Sequence, residues 1–129
     1  MQHLLHFKRI NDTYGHLTGD NVLVQVVEII KNSIFYKDLI CRYGGEEFII
    51  LFTRTSMERA ITESERIRKE VEQYSFIFND EIKDGQVTVS IGLAYFDENM
   101  PNGIESILEL ADKRLYTAKA SGKNKLIYQ

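Results

Sequence analysis

The sequence predicts an α/β sandwich, with a central, mostly antiparallel sheet of about five strands flanked by helices. Three observations predict it. Apolar residues recur at helical spacing in three separate stretches. Two strand-like runs, Leu39 to Tyr43 and Phe48 to Phe52, are split by Gly44-Gly45-Glu46-Glu47, a hairpin pattern because glycine reaches positive φ without steric cost. Val87, Val89, Ile91 and Leu93 alternate with Gln86, Thr88, Ser90 and Gly92, as a half-buried strand does.

Taken in order, Leu4-Leu5 is a scrap of strand, followed by a polar loop with Gly15 and Gly19. Val22, Leu23, Val26, Val27, Ile29, Ile30 and Ile34 predict a helix over about 20–34, with Asp20 at the N-cap. The hairpin follows. Cys41 sits in its first apolar run and is expected to be a buried, inert thiol. Met57, Ala60, Ile61, Ile67 and Val71 share one face of a second helix over about 56–74. After the 86–93 strand, Pro101-Asn102-Gly103 breaks the chain, and Asn102 with Glu105 resembles a capping box. Ile104, Ile107, Leu108, Ala111 and Leu115 mark a third helix that should stop near Gly122. Leu126-Ile127-Tyr128 closes the chain as a short strand. This order contains a β-α-β-β-α-β core, the ferredoxin-like arrangement.

At 129 residues the chain fits one domain with one core, residues 1–129. A net charge of -3 argues against a nucleic-acid partner, whose binders carry a basic face, but not against a single nucleotide held by local groups. One cysteine excludes an internal disulfide and points to the cytoplasm. No run approaches the roughly 18 apolar residues of a membrane segment.

Glu46 and Glu47 are adjacent carboxylates at a hairpin tip, where they repel each other. A hard divalent cation would offset that repulsion, and a solvated acidic turn is the competing reading. Gly44 and Gly45 leave room for a ligand to approach the backbone closely. Lys8 can place a cation near phosphate. Asn11 and Asp20 supply an amide and a carboxylate suited to a guanine edge, against a reading as turn and cap residues. Lys119 and Lys123 bracket Ala120-Ser121-Gly122, where they can contact phosphate or simply offset a helix dipole. Phe7 and Phe48 read as core, and His16 as a loop residue without a catalytic role.

Together, Phe7-Lys8-Arg9-Ile10-Asn11-Asp12-Thr13-Tyr14-Gly15-His16, Gly19-Asp20, Arg42-Tyr43-Gly44-Gly45-Glu46-Glu47-Phe48, Val87-Thr88-Val89-Ser90-Ile91-Gly92, Ala111-Asp112 and the stretch from Tyr116 to Asn124 resemble the GGDEF domain family of diguanylate cyclases. The resemblance runs along nearly the whole chain, and GGEEF is a variant of the signature found in active members. It implies a nucleotidyl-cyclase core, and an enzyme that condenses two GTP into cyclic di-GMP and two pyrophosphates. It also implies a homodimer of half-sites, two Mg2+ or Mn2+ ions per active site, and an upstream sensory or receiver module. By position, Asn11 and Asp20 would contact guanine, and Phe7, Lys8, Lys119 and Lys123 the phosphates. Glu46, Glu47 and the backbone carbonyl of Leu4 would hold metal. Glu47 would also help activate the attacking hydroxyl. A degenerate module that binds GTP or a partner without turnover is the alternative.

Three departures from the family pattern stand out. His3 and Leu5 occupy positions where the family carries two acids. The family's preceding helix and most of its first strand are expected to be missing. In the family's product-inhibition motif only Asp38 is retained, because Phe35 replaces the arginine. Strong inhibition by product is therefore not expected.

Overall fold

The structure is a computed structural model that describes residues 3–12, 16–34, 38–42, 47–53, 55–78, 81–84, 87–95 and 103–129. Its main sheet has five strands in the order β2-β3-β1-β6-β7. They are β1 (His3–Asp12), β2 (Leu39–Arg42), β3 (Glu47–Thr53), β6 (Val87–Tyr95) and β7 (Leu126–Ile127). A separate hairpin is formed by β4 (Ser75–Phe78) and β5 (Glu81–Asp84). The helices are α1 (His16–Ser33), α2 (Met57–Gln73) and α3 (Ile104–Ala120). Pairing is antiparallel except for β6 with β7. The order β2-β3-β1-β6 is that of the expected β-α-β-β-α-β core.

Strand alternation divides the core in two. Phe48, Ile50 and Phe52 of β3, with Val89, Ile91 and Leu93 of β6, lie on the side of α1 and α2 and meet Val22, Val26, Ile30, Ile67 and Val71. Ile49 and Leu51 of β3 and Ala94 of β6 lie on the opposite side, against Ile107, Ala111 and Leu115 of α3. The result is three layers, helix on sheet on helix. Full burial of an Ile or Leu such as Ile30, Ile50, Ile67, Ile91 or Leu93 stabilises by about 1.5–3 kcal/mol each.

Polar contacts tie the layers together. Ser56 caps α2 by accepting the Arg59 N–H at 3.2 Å. At the C-terminal end of α1, the Ser33 hydroxyl donates to Glu70 at 2.9 Å, and Arg66 donates to the Ser33 carbonyl at 3.0 Å. Beyond the short β7, Arg114 donates to the Leu93 carbonyl at 2.7 Å, supplying a donor where strand pairing has stopped. Gln25 does the same for β4: its amide accepts from the Ile77 N–H at 3.0 Å and donates to the Ile77 carbonyl at 3.1 Å.

Five expectations change. The scrap of strand at Leu4-Leu5 is a ten-residue central strand, paired on both edges. Helix α1 starts at His16, so Asp20 lies inside it and is not its N-cap. The N-cap of α3 is Gly103, at φ +53 and with no side-chain cap bond, and Asn102 lies outside the described residues. Cys41 is exposed, because β2 is an edge strand with only one neighbour to cover it. The β4–β5 hairpin was not anticipated: its four-residue strands are too short for periodicity to register. Helix α2, β7 and the end of α3 before Gly122, at φ +120, lie where the pattern puts them.

Candidate functional site

The site is built at one end of the main sheet, and the strand registers define it. Arg42, the last residue of β2, pairs with Phe48 of β3, and Glu47 is the first residue of β3. Glu47 is half-buried and stands opposite Arg9, which in turn pairs with Ser90 of β6. The Ser90 hydroxyl accepts the backbone N–H of Asn124 at 3.2 Å. One row therefore crosses the sheet from the signature hairpin to the turn that follows α3. Three strand spacings make that row roughly 14 Å long.

Beside the hairpin lies a cleft of about 470 Å3, lined by Leu23, Val24, Val27, Glu28 and Lys31 of α1 and by Arg42 and Phe48. Its volume falls within the range of small-ligand pockets. The lining is an apolar helix face bordered by the cations of Lys31 and Arg42 and by the carboxylate of Glu28. Phe48 is itself core, at 4% exposure, as expected from its place in β3.

At the far side of the row, Lys119 is in the last turn of α3 and Lys123 follows three residues after Ala120. Three successive residues have positive φ there: Gly122 at 120°, Lys123 at 64° and Asn124 at 49°. For a lysine this is an uncommon conformation that surrounding contacts must hold.

Among the expected site residues, the structure brings Glu47, Lys119 and Lys123 to the same end of the sheet. Lys8 is one register step from Glu47, opposite Phe48 and Ile91. Asn11 is in the last two residues of β1, opposite Thr88, and Asp20 is in the first turns of α1. Phe7 pairs with Ile49 and Gly92. Gly44, Gly45 and Glu46 lie outside the described residues, as do Phe35 to Lys37.

Leu4 is not brought to this end. It pairs with Phe52 and Tyr95, five residues along β3 from Glu47, or about 17 Å at the rise of an extended strand. His3, opposite Thr53, is farther still. The reason is that residues 7–12 continue the strand instead of leaving it, which carries the first residues to the opposite edge of the layer. Among the described residues no group of three or more His, Cys, Asp and Glu side chains stands together. Of the two adjacent carboxylates expected to hold a cation, Glu47 begins β3 and Glu46 lies outside the described residues.

Asp38 is only 8% exposed, and its carboxylate accepts the Thr53 N–H at 3.1 Å, closing the far end of the β2–β3 pair. The residues that sequence reasoning passed over are Arg68 and Glu72, which converge on Asn124 in the turn after α3; Asn124 closes the family-like stretch but was given no role. The cue was the Glu65 to Arg68 and Arg68 to Glu72 spacing, which reads equally well as ordinary surface pairing on a helix.

Comparison with known proteins bears on this arrangement. The family profile described as "Diguanylate cyclase, GGDEF domain" matches residues 1–125. Diguanylate cyclase A of Treponema denticola is 45% identical over 120 residues, covering 93% of this chain and 32% of that protein. Diguanylate cyclase DosC of Escherichia coli is 40% identical over 121 residues, covering 93% of this chain and 25% of that protein. The chain thus spans about a third or less of the curated relatives it matches. Among solved structures, the GGDEF domain of DgcB from Caulobacter crescentus in complex with c-di-GMP aligns with TM-score 0.86 at 33% identity, covering 98% of this chain and 77% of that one. The active GGEEF domain of a diguanylate cyclase from Vibrio cholerae aligns with TM-score 0.85 at 26% identity, covering 98% and 82%.

Proposed function

This chain belongs to the diguanylate cyclase GGDEF domain family, and from that premise we propose that it forms a half-site for one GTP. Two half-sites facing each other condense two GTP into cyclic di-GMP. The observation that carries this reading is the convergence at one sheet end: the signature hairpin with Glu47, the cleft bordered by Arg42 and Phe48, and the Lys119–Lys123 turn.

In each half-reaction, the 3′-hydroxyl oxygen of one GTP attacks the α-phosphorus of the other. A P–O bond forms, the bond to the β-phosphate oxygen breaks, and pyrophosphate leaves with the electron pair. Glu47 accepts the hydroxyl proton. Asn11 and Asp20 contact the guanine edge, Asp20 accepting from its N–H donors, which adenine lacks. Lys8, Lys119 and Lys123 hold the phosphates by charge, with Phe7 beside Lys8 in β1. Glu46 and Glu47 would hold Mg2+ or Mn2+, and bound ions would neutralise charge on the transferring phosphate. Because neither 3′-hydroxyl meets the α-phosphorus of its own nucleotide, the homodimer is part of the active site. The setting is bacterial second-messenger signalling in the cytoplasm, under an upstream sensory or receiver module.

The strand register favours one second reading. With His3 in place of the family's metal-binding acid, and at the opposite end of β1 from Arg9, that position brings no carboxylate to Glu47. A domain that binds GTP without turnover fits that arrangement. Incubation with GTP and Mg2+ or Mn2+, followed by chromatography, separates the two. Cyclic di-GMP formed at a specific rate that rises with chain concentration, and lost in Glu47→Gln, supports the cyclase. GTP binding with no product supports the binding module.

A further inference from the structure

The turn between α3 and β7 carries Lys123, just after Lys119 in the last turn of α3, and a group from α2 grips it. Arg68 donates to Asn124 Oδ1 at 2.9 Å and reaches the Asn124 carbonyl at 3.4 Å. The Asn124 amide nitrogen donates to Glu72, and Arg68 also donates to Glu65. These partners set the Asn124 side chain without ambiguity: a guanidinium only donates and an ionised carboxylate only accepts, so the oxygen faces Arg68 and the nitrogen faces Glu72. The Arg68 side chain is 13% exposed, and the Glu65 bond raises its pKa above the ordinary arginine value, against the opposing effect of burial. Three backbone bonds complete the hold: Asn124 N–H to Ser90 Oγ at 3.2 Å, Lys123 N–H to the Ala118 carbonyl at 3.0 Å, and Ile91 N–H to the Lys125 carbonyl at 2.9 Å.

This grip far exceeds what a surface connection between a helix and a two-residue strand requires. The turn is held in a left-handed conformation at two non-glycine residues, one of them Lys123. A strained conformation persists only where surroundings over-determine it, and here they do so from α2, α3 and β6 together. Along the chain, Lys123 is fixed on both sides, by Ala118 behind it and Asn124 ahead of it.

We infer that Arg68, Glu72 and Asn124 are positioning residues that hold Lys123 in place, beside Lys119 at the end of α3, for an anionic phosphate chain. This rests on the reading of those lysines as phosphate contacts, and it assigns a role to three residues that touch no substrate themselves.

The test uses the full chain with GTP, following affinity by titration calorimetry and folding by a thermal melt. Asn124→Ala should weaken GTP binding about tenfold or more, the scale of one charge-assisted hydrogen bond. Asn124→Asp places a carboxylate against Glu72 and should weaken binding similarly. Adding Glu72→Gln restores a donor facing an acceptor, so the double variant should recover most of the affinity. That recovery, at an unchanged melting temperature, is a readout that a merely structural role would not produce. Lys123→Ala separates the two layers of the argument. If it weakens binding while Asn124→Ala does not, the positioning role is overturned and the lysine contact stands. If Lys123→Ala binds GTP as tightly as the parent chain, or the parent chain does not bind GTP, the lysine reading falls and the inference with it.

Discussion

At the scale of single residues, Gly92 shows how closely the layers approach. A Cβ built there would lie 2.2 Å from the Ala111 carbonyl oxygen and 2.4 Å from the Leu115 nitrogen, both backbone atoms of α3. Backbone cannot yield as a flexible side-chain tip can, so the helix would have to move off the sheet. Gly92→Ala should therefore cost about 3 kcal/mol, lowering the melting temperature by roughly 10 °C for a chain of this size. Thermal denaturation of the variant checks this; a shift of only a degree or two would mean that α3 sits farther from β6. Gly92 was visible in the sequence as a member of the alternating strand, but the demand for glycine was not, because its cause is a helix about 20 residues downstream. Cys41 teaches the converse: an apolar neighbourhood in sequence does not bury a residue whose strand lies at the sheet edge.

At the scale of elements, β1 is the least typical member of the sheet. A central strand covered by helices on both faces normally reads as a nearly continuous apolar run. The segment His3–Asp12 instead carries His6 and Lys8 at register positions flanked by buried residues, Ile50 and Leu93 for His6, Phe48 and Ile91 for Lys8. Lys8→Met keeps the length of the side chain and removes the charge, so it should weaken GTP binding about tenfold if the phosphate reading of Lys8 holds. Titration calorimetry reads this, and an affinity equal to that of the parent chain would overturn that reading. Elements built from long apolar periodicity, α1 and α2 above all, were legible to within a few residues at their ends. Elements that depend on partners, β1 and the β4–β5 hairpin, were not, because strand identity is conferred by pairing as much as by composition.

At the scale of the whole molecule, regulation follows from what the β2–β3 unit holds at its two ends. The signature hairpin is at one end, and Asp38 is at the other, buried and bonded to the Thr53 N–H. With its carboxylate committed to the backbone and Phe35 where the family has arginine, this region should not bind the cyclic product strongly. Turnover, if measured as product accumulates, should show no inhibition at micromolar cyclic di-GMP, and Asp38→Ala should lower stability without changing that response. Micromolar binding of cyclic di-GMP that disappears in Asp38→Ala would overturn the expectation. Among the described residues, no helix is long and apolar enough to cross a membrane.

The sequence by itself determined the family, the fold class and the identity of the chemical groups, because these depend on local order: two glycines and two acids between strand runs, lysines spaced around a helix end, alternation of apolar residues. The tertiary structure decided which of those groups meet. It set Glu47 opposite Arg9, brought the turn after α3 to the same sheet end, sent Leu4 to the other, and joined Arg68 and Glu72 to Asn124 across more than 50 residues of chain. Register and layer packing arise from contacts between distant segments, and a linear pattern carries the residues for such contacts without stating their pairing.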